Sequence, residues 1–180
     1  LNQGIKDKIL QKDDLINPSL KYYSLPSLKM LEKEKIKFTW FGYYNKWNPQ
    51  ENFYYVAQNC NFNPNPLGRS EGTFNKYASL DDSTNPLHYY MSYIKFGIGR
   101  ATADAAHEIR EGHLTREEGI KLVKKFDSEY PTYSLKPTLD YLGISKKQLD
   151  DIIDAFKEKR KNLWIKKGNN WKIKKTIFKK

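Results

Sequence analysis

The chain has 180 residues, enough for one domain or a domain with an appendage. Its formal net charge is +11, from 32 Lys and Arg against 21 Asp and Glu, and only 38% of it is apolar. A single cysteine, Cys60, excludes an internal disulfide and a cysteine-based zinc site, and no apolar run approaches membrane-spanning length.

With no signal peptide, these features fit a protein of the reducing cytoplasm. The positive charge suits a polyanionic partner: nucleic acid, a phosphosugar or a nucleotide. Yet the basic residues are mostly Lys and concentrate in the tail, whereas nucleic-acid binders favour clustered Arg. Compositional bias is therefore the favoured reading. The chain opens on Leu1 rather than Met, as a fragment would.

Taken in order, residues 4–16 read as a short helix with Ile5, Ile9 and Leu15 on its buried side, stopped by Asn17-Pro18. Residues 19–26 read as extended. Pro26-Ser27 opens a helix that buries Leu28, Leu31 and Ile36. Lys37 to Tyr44 (KFTWFGYY) reads as a strand buried on both faces, because aromatic and β-branched residues run almost without a break. Trp47-Asn48-Pro49 starts a helix with Phe53, Val56 and Ala57 on its apolar face. Residues 61–85 form a long loop rich in Asn, Pro, Gly and Ser, laid over a surface by Leu67, Phe74, Tyr77 and Leu80.

Leu87, Tyr90, Met91 and Ile94 then mark a helix by their i, i+3, i+4, i+7 spacing, with Asn85 as N-cap and Pro86 in the first turn. It ends at Gly97-Ile98-Gly99. A second helix starts near Thr102, carries Asp104, His107, Glu108 and Arg110, and closes at Gly112. Thr115 and Glu118 form a capping box for a helix over residues 115–127, with Ile120, Val123 and Phe126 inward. Pro137 to Leu142 is a short helix closed by Gly143. Ser145 and Gln148 cap the last helix, striped by Leu149, Ile152, Ile153 and Phe156. Residues 163–165 and 171–173 flank Gly168-Asn169-Asn170 as a β-hairpin.

Several clusters could carry chemistry. Gly97-x-Gly99 fails as a dinucleotide loop, since the third glycine is missing and a helix precedes it. His107 and His113 lie six apart, off a common helical face, which disfavours a metal site. Asp104 and Glu108, at i and i+4, suit either a carboxylate acid/base pair or a solvated face with Arg110 as counter-ion. Lys95 and Arg100 bracket the glycine hinge, as an anion site or as ordinary cations at a helix end. The aromatics Tyr43, Tyr44, Trp47, Phe53, Tyr54 and Tyr55 could stack on bases or sugars or pack in a core. In the long loop, Glu71-Gly72-Thr73 and Asp81-Asp82 could hold a metal or sugar hydroxyls.

Two segments, GRSEGTFNKYASLDD (68–82) and LHYYMSYIKFGIGRATADAAHEIREGHLTREEGIKLVKKFDSEYP (87–131), resemble the C-terminal part of the N-acetyl sugar amidotransferase family, bacterial enzymes of pseudaminic-acid, legionaminic-acid and O-antigen sugar synthesis. The likeness extends into LPSLKMLEKEKIKFTWFGYYNKWNPQE (25–51) and LDYLGISKKQLDDIID (139–154). It implies an N-type (PP-loop) ATP pyrophosphatase that adenylates an acetamido oxygen with ATP and Mg2+. Ammonia from a glutaminase subunit then displaces AMP and leaves an acetamidino sugar. Such catalysis is mainly positioning and charge stabilisation.

On this resemblance Lys95, Arg100, Thr102, Glu108, Arg110, Glu71, Thr73 and Asp82 are the substrate- or phosphate-binding candidates. No residue receives a catalytic role and no metal ligand is expected. The implied fold is mainly α with a few strands, an α/β fragment: the helical C-terminal region of a PP-loop enzyme, ending in a small β-hairpin. Residues 1–60 would close the nucleotide domain, 61–160 form the loop and helical substrate region, and 161–180 the hairpin and basic tail. The family's SGGxDS-type ATP loop and N-terminal cysteines do not occur in this sequence. The implied partners are thus the ATP-binding half, the glutaminase and the sugar, and the chain alone should not hydrolyse ATP. The alternative from another class is a basic helical module for nucleic acid or an acidic protein.

Overall fold

A computed structural model describes residues 18–23 and 25–174. The helix expected over residues 4–16 and the Lys-rich end lie outside them. The chain divides into two compact units, Leu1–Lys46 and Trp47–Lys180.

In the first unit, Pro18–Tyr23 is a 3-10 helix rather than an extended segment. Helix α1 (Leu28–Lys33) follows, capped by the Ser27 hydroxyl, which accepts from the Met30 amide at 3.2 Å. Leu28 and Ile36, expected to be buried, are exposed. The strand expected from Lys37 to Tyr44 is absent: residues 36–40 are irregular and Phe41–Tyr43 is a 3-10 turn. Its amides bond locally, Tyr43 N–H to Trp40 O at 3.0 Å and Tyr44 N–H to Phe41 O at 2.9 Å. A strand needs a partner ladder to satisfy its backbone, and the described residues of this unit contain none. Phe38, Trp40 and Tyr43 consequently point outward at 81%, 76% and 85% exposure.

The second unit is helical. Helix α2 (Pro49–Asn59) is capped by Asn48, whose side chain accepts from Glu51 N–H at 3.2 Å. The irregular segment after it leads into α3 (Asn85–Phe96), with Pro86 in the first turn. Asn85 is the first helical residue rather than the N-cap, which is Thr84. Gly97 ends α3 at φ 76°, a left-handed position that a side chain rarely adopts. Helix α4 (Arg100–Arg110) and α5 (Arg116–Phe126) form an antiparallel pair, and α5 opens on the expected Thr115–Glu118 capping box. Helices α6 (Leu135–Leu142) and α7 (Lys146–Lys159) follow, the latter opening on the Ser145–Gln148 box.

Strands β1 (Trp164–Lys167) and β2 (Asn170–Ile173) then form an antiparallel hairpin in which Trp164 faces Ile173 and Lys167 faces Asn170. The described residues are thus mainly helical, with seven α-helices and one two-stranded sheet.

The core joins α3, α6, α7 and the hairpin through Leu87, Ile94, Leu139, Leu149, Ile153 and Trp164. Full burial of each such side chain contributes about 1.5–3 kcal/mol. Trp164 also donates its indole N–H to the Ile94 carbonyl at 2.8 Å, which fastens the hairpin to α3. The i, i+3, i+4 stripes read from the sequence supply Leu87, Ile94, Leu149 and Ile153 of this core. Ile152, in the α7 stripe, is the exception and stays 40% exposed.

Candidate functional site

Helix α4 begins where Asp127, from the end of α5, reaches its first turn. The Asp127 carboxylate accepts Gly99 N–H at 2.7 Å, Thr102 N–H at 2.9 Å and the Thr102 hydroxyl at 2.8 Å. Gly99 is required by this approach: a Cβ there would lie 2.7 Å from the Asp127 carbonyl oxygen. The positive end of the α4 dipole is thereby neutralised from within the fold. This remote cap also starts the helix at Arg100, before the expected Thr102.

The inner face of α4 floors a cleft of about 390 Å³ against Trp47 and α2. Arg100, Asp104, His107 and Glu108 line it from α4, and Trp47, Phe53, Val56, Phe62 and Tyr77 give it an apolar wall. The Phe53 and Tyr77 rings stack at 4.5 Å with 9° between their planes. A second cleft of about 450 Å³ shares Phe53, Asn75, Tyr77 and Glu108 with the first.

Two buried carboxylates set the electrostatics. Asp104, 6% exposed, is fully engaged: Arg100 Nε donates to its Oδ1 at 2.8 Å, and the Thr73 hydroxyl donates to its Oδ2. Thr73 is itself completely buried and accepts Asn75 N–H at 2.9 Å. The Arg100 guanidinium lies 5.5 Å from the centre of the Tyr89 ring. Glu108, 8% exposed, is only half engaged. His113 Nδ1 donates to its Oε2 at 2.7 Å, and no hydrogen bond among the described residues reaches its Oε1. The Tyr77 hydroxyl is pushed up to about 12, by burial first and then by the carboxylates of Glu108 and Asp104.

A third hollow, of about 770 Å³, lies on the irregular segment. Beside it Arg69 grips Glu129 through two bonds of 2.7 Å, and Glu129 also accepts Gly72 N–H at 2.7 Å. Burial raises the Glu129 carboxyl, but the bonds from Arg69 and Gly72 and the Arg69 charge outweigh it, leaving the group below its ordinary value.

The eight sequence candidates therefore separate. Arg100 and Glu108 line the cleft, and Thr73 sits beneath it. Thr102 is bound to Asp127. Lys95 turns away, its ammonium 4.7 Å from the centre of the Phe156 ring. Arg110 is exposed and donates to His107 Nδ1 at 2.9 Å. Glu71 lines the third hollow and accepts Tyr133 N–H at 2.8 Å and Ser134 N–H at 3.2 Å, capping the start of α6. Asp82, also in that hollow, accepts from the Thr84 amide and hydroxyl at 2.8 and 2.7 Å. Asp127, Arg69 and Glu129 escaped the sequence reading, because each acts across 25 or more residues and falls outside any local spacing rule. Asp104 and Trp47 carried a local signal, through the i, i+4 carboxylate pair and the aromatic cluster.

Among the described residues no helix is long and apolar enough to cross a membrane, and no group of three His, Cys, Asp or Glu side chains could hold a metal ion. The Gly99 and Thr102 amides, which could have cradled a phosphate, are spent on Asp127. Those two amides are therefore closed to a phosphate.

The fold is a helical domain that carries an aromatic-walled, carboxylate-floored cleft. The family described as LPS biosynthesis protein WbpG-like, C-terminal domain, matches residues 71–177, more than half of the chain. The chain belongs to this family of lipopolysaccharide-biosynthesis domains. No curated protein matches it.

Proposed function

We propose that this domain binds the sugar substrate of a cytoplasmic amidotransferase that converts an acetamido group to acetamidino in bacterial surface-glycan synthesis. The observation that carries the reading is the cleft between α2 and α4. A sugar ring offers one face of C–H bonds, which pack on aromatic side chains such as Trp47 and Phe53. Its edge offers hydroxyls, which exchange hydrogen bonds with polar side chains of the lining such as Asn52. Membership of a lipopolysaccharide-biosynthesis family supports a glycan substrate. The amidotransferase step itself rests on the resemblance of residues 68–82 and 87–131. ATP, Mg2+ and the activation step belong in this proposal to an ATP-binding segment outside the described residues, and ammonia to a glutaminase partner.

The nucleic-acid alternative fits less well, because the cleft places two carboxylates where phosphates would have to lie. Titration calorimetry with an N-acetylated nucleotide sugar tests the choice. Saturable binding that Trp47→Ala weakens at least tenfold supports the sugar reading. Absent sugar binding, with oligonucleotide binding that falls steeply with salt, overturns it.

A further inference from the structure

The charge left over in the cleft is that of Glu108. Asp104 is matched by Arg100 and Thr73, so both of its oxygens are occupied. The Glu108 side chain is 10% exposed and lines the cleft, yet among the described residues only its Oε2 has a protein partner. With no protein donor on its Oε1 among the described residues, this carboxylate can accept from a ligand held in the cleft. Trp47 and Phe53 stand in the same cleft, and their ring faces attract cations. An open carboxylate oxygen beside aromatic faces suits a small planar cation with N–H donors better than a neutral amide.

We propose that Glu108 is the subsite for the amidino form of the substituent, a planar cation bearing N–H groups, and that the cleft holds this form more tightly than the acetamido form. The inference rests on the sugar-binding reading above and adds which state of the sugar the site prefers. Conversion replaces a carbonyl acceptor with a cationic donor. The acetamido form offers this carboxylate one neutral N–H, whereas the amidino form offers a cation with further N–H groups, so the site favours the later species over the starting one. Arg100 does not oppose this, because its Nε already compensates Asp104.

The test is a matched pair, one methyl glycoside carrying an acetamido group and its acetamidino counterpart, titrated against the full 180-residue chain. The acetamidino sugar should bind at least about tenfold more tightly, as expected for a charge-assisted bond. Glu108→Gln should bring the ratio to about one. Asp82→Asn, in the separate hollow, should keep the ratio of the wild type. Equal affinity of the wild type for both sugars overturns the inference while leaving sugar binding intact. Failure of both sugars to bind overturns sugar binding and the inference together, and tighter binding of the acetamido sugar overturns the inference alone. A ratio abolished by Asp82→Asn moves the cation subsite elsewhere and overturns the assignment to Glu108. If Glu108→Gln does not fold, the wild-type ratio and the Asp82→Asn control still decide.

Discussion

Asp127 caps the helix that carries the cleft from 28 residues away, accepting the Gly99 amide at 2.7 Å. Without it the first turn of α4 would lose the acceptor of two part-buried N–H groups, and Arg100 and Asp104 stand one turn or less beyond. Asp127→Ala should cost about 2 kcal/mol of stability, read as a lower midpoint in urea unfolding followed by circular dichroism. An unchanged midpoint would show that the cap carries no weight.

Thr73 is expected to hold the cleft floor in place. Thr73→Val keeps the shape but removes the hydroxyl that donates to Asp104 and accepts from Asn75. The loss should be about 1–3 kcal/mol, and sugar affinity should fall because the Asp104–Arg100 pair is no longer fixed. Thermal unfolding and calorimetric titration of one sample separate the two effects.

The hairpin depends on one indole. Trp164→Phe removes the bond to the Ile94 carbonyl and part of the core's largest ring. A destabilisation of about 1–3 kcal/mol is expected. Hydrogen exchange of the α3 and hairpin amides should quicken together.

The Arg69–Glu129 pair sets an acid limit. The Glu129 carboxyl is held below its ordinary value in the folded state, so its contribution is complete above the unfolded value, about 4.3 for glutamate, and is lost as pH falls through the lowered folded value. Glu129→Gln should therefore flatten the acid side of the stability–pH curve relative to the wild type. Parallel curves for the two proteins would contradict that linkage.

Local signals carried most of the second unit. The stripe of Leu87 and Ile94, the Thr115 and Ser145 capping boxes and the Gly168 turn each specify their element within a few residues, and each element formed, with Asn170 in the second strand rather than in the turn. The segment Lys37 to Tyr44 misled because its aromatic run has the composition of a strand, while a strand exists only with a neighbour to pair with. The candidate site was legible in part. Arg100 and Glu108 share one face of α4 through helical spacing, so their joint presence in the cleft follows from the sequence. Lys95 precedes the Gly97 turn and leaves that face. Thr102 is on α4, but Asp127 takes it, and such long-range pairing has no sequence period.

The most direct measurement is chemical-shift mapping of the isotope-labelled chain titrated with an N-acetylated sugar. A sugar site between α2 and α4 requires the Trp47 indole and the amides around Phe53, Tyr77 and Glu108 to shift together and saturate. Shifts confined to the hollow around Glu71 and Asp82, or none at saturating sugar, would contradict it.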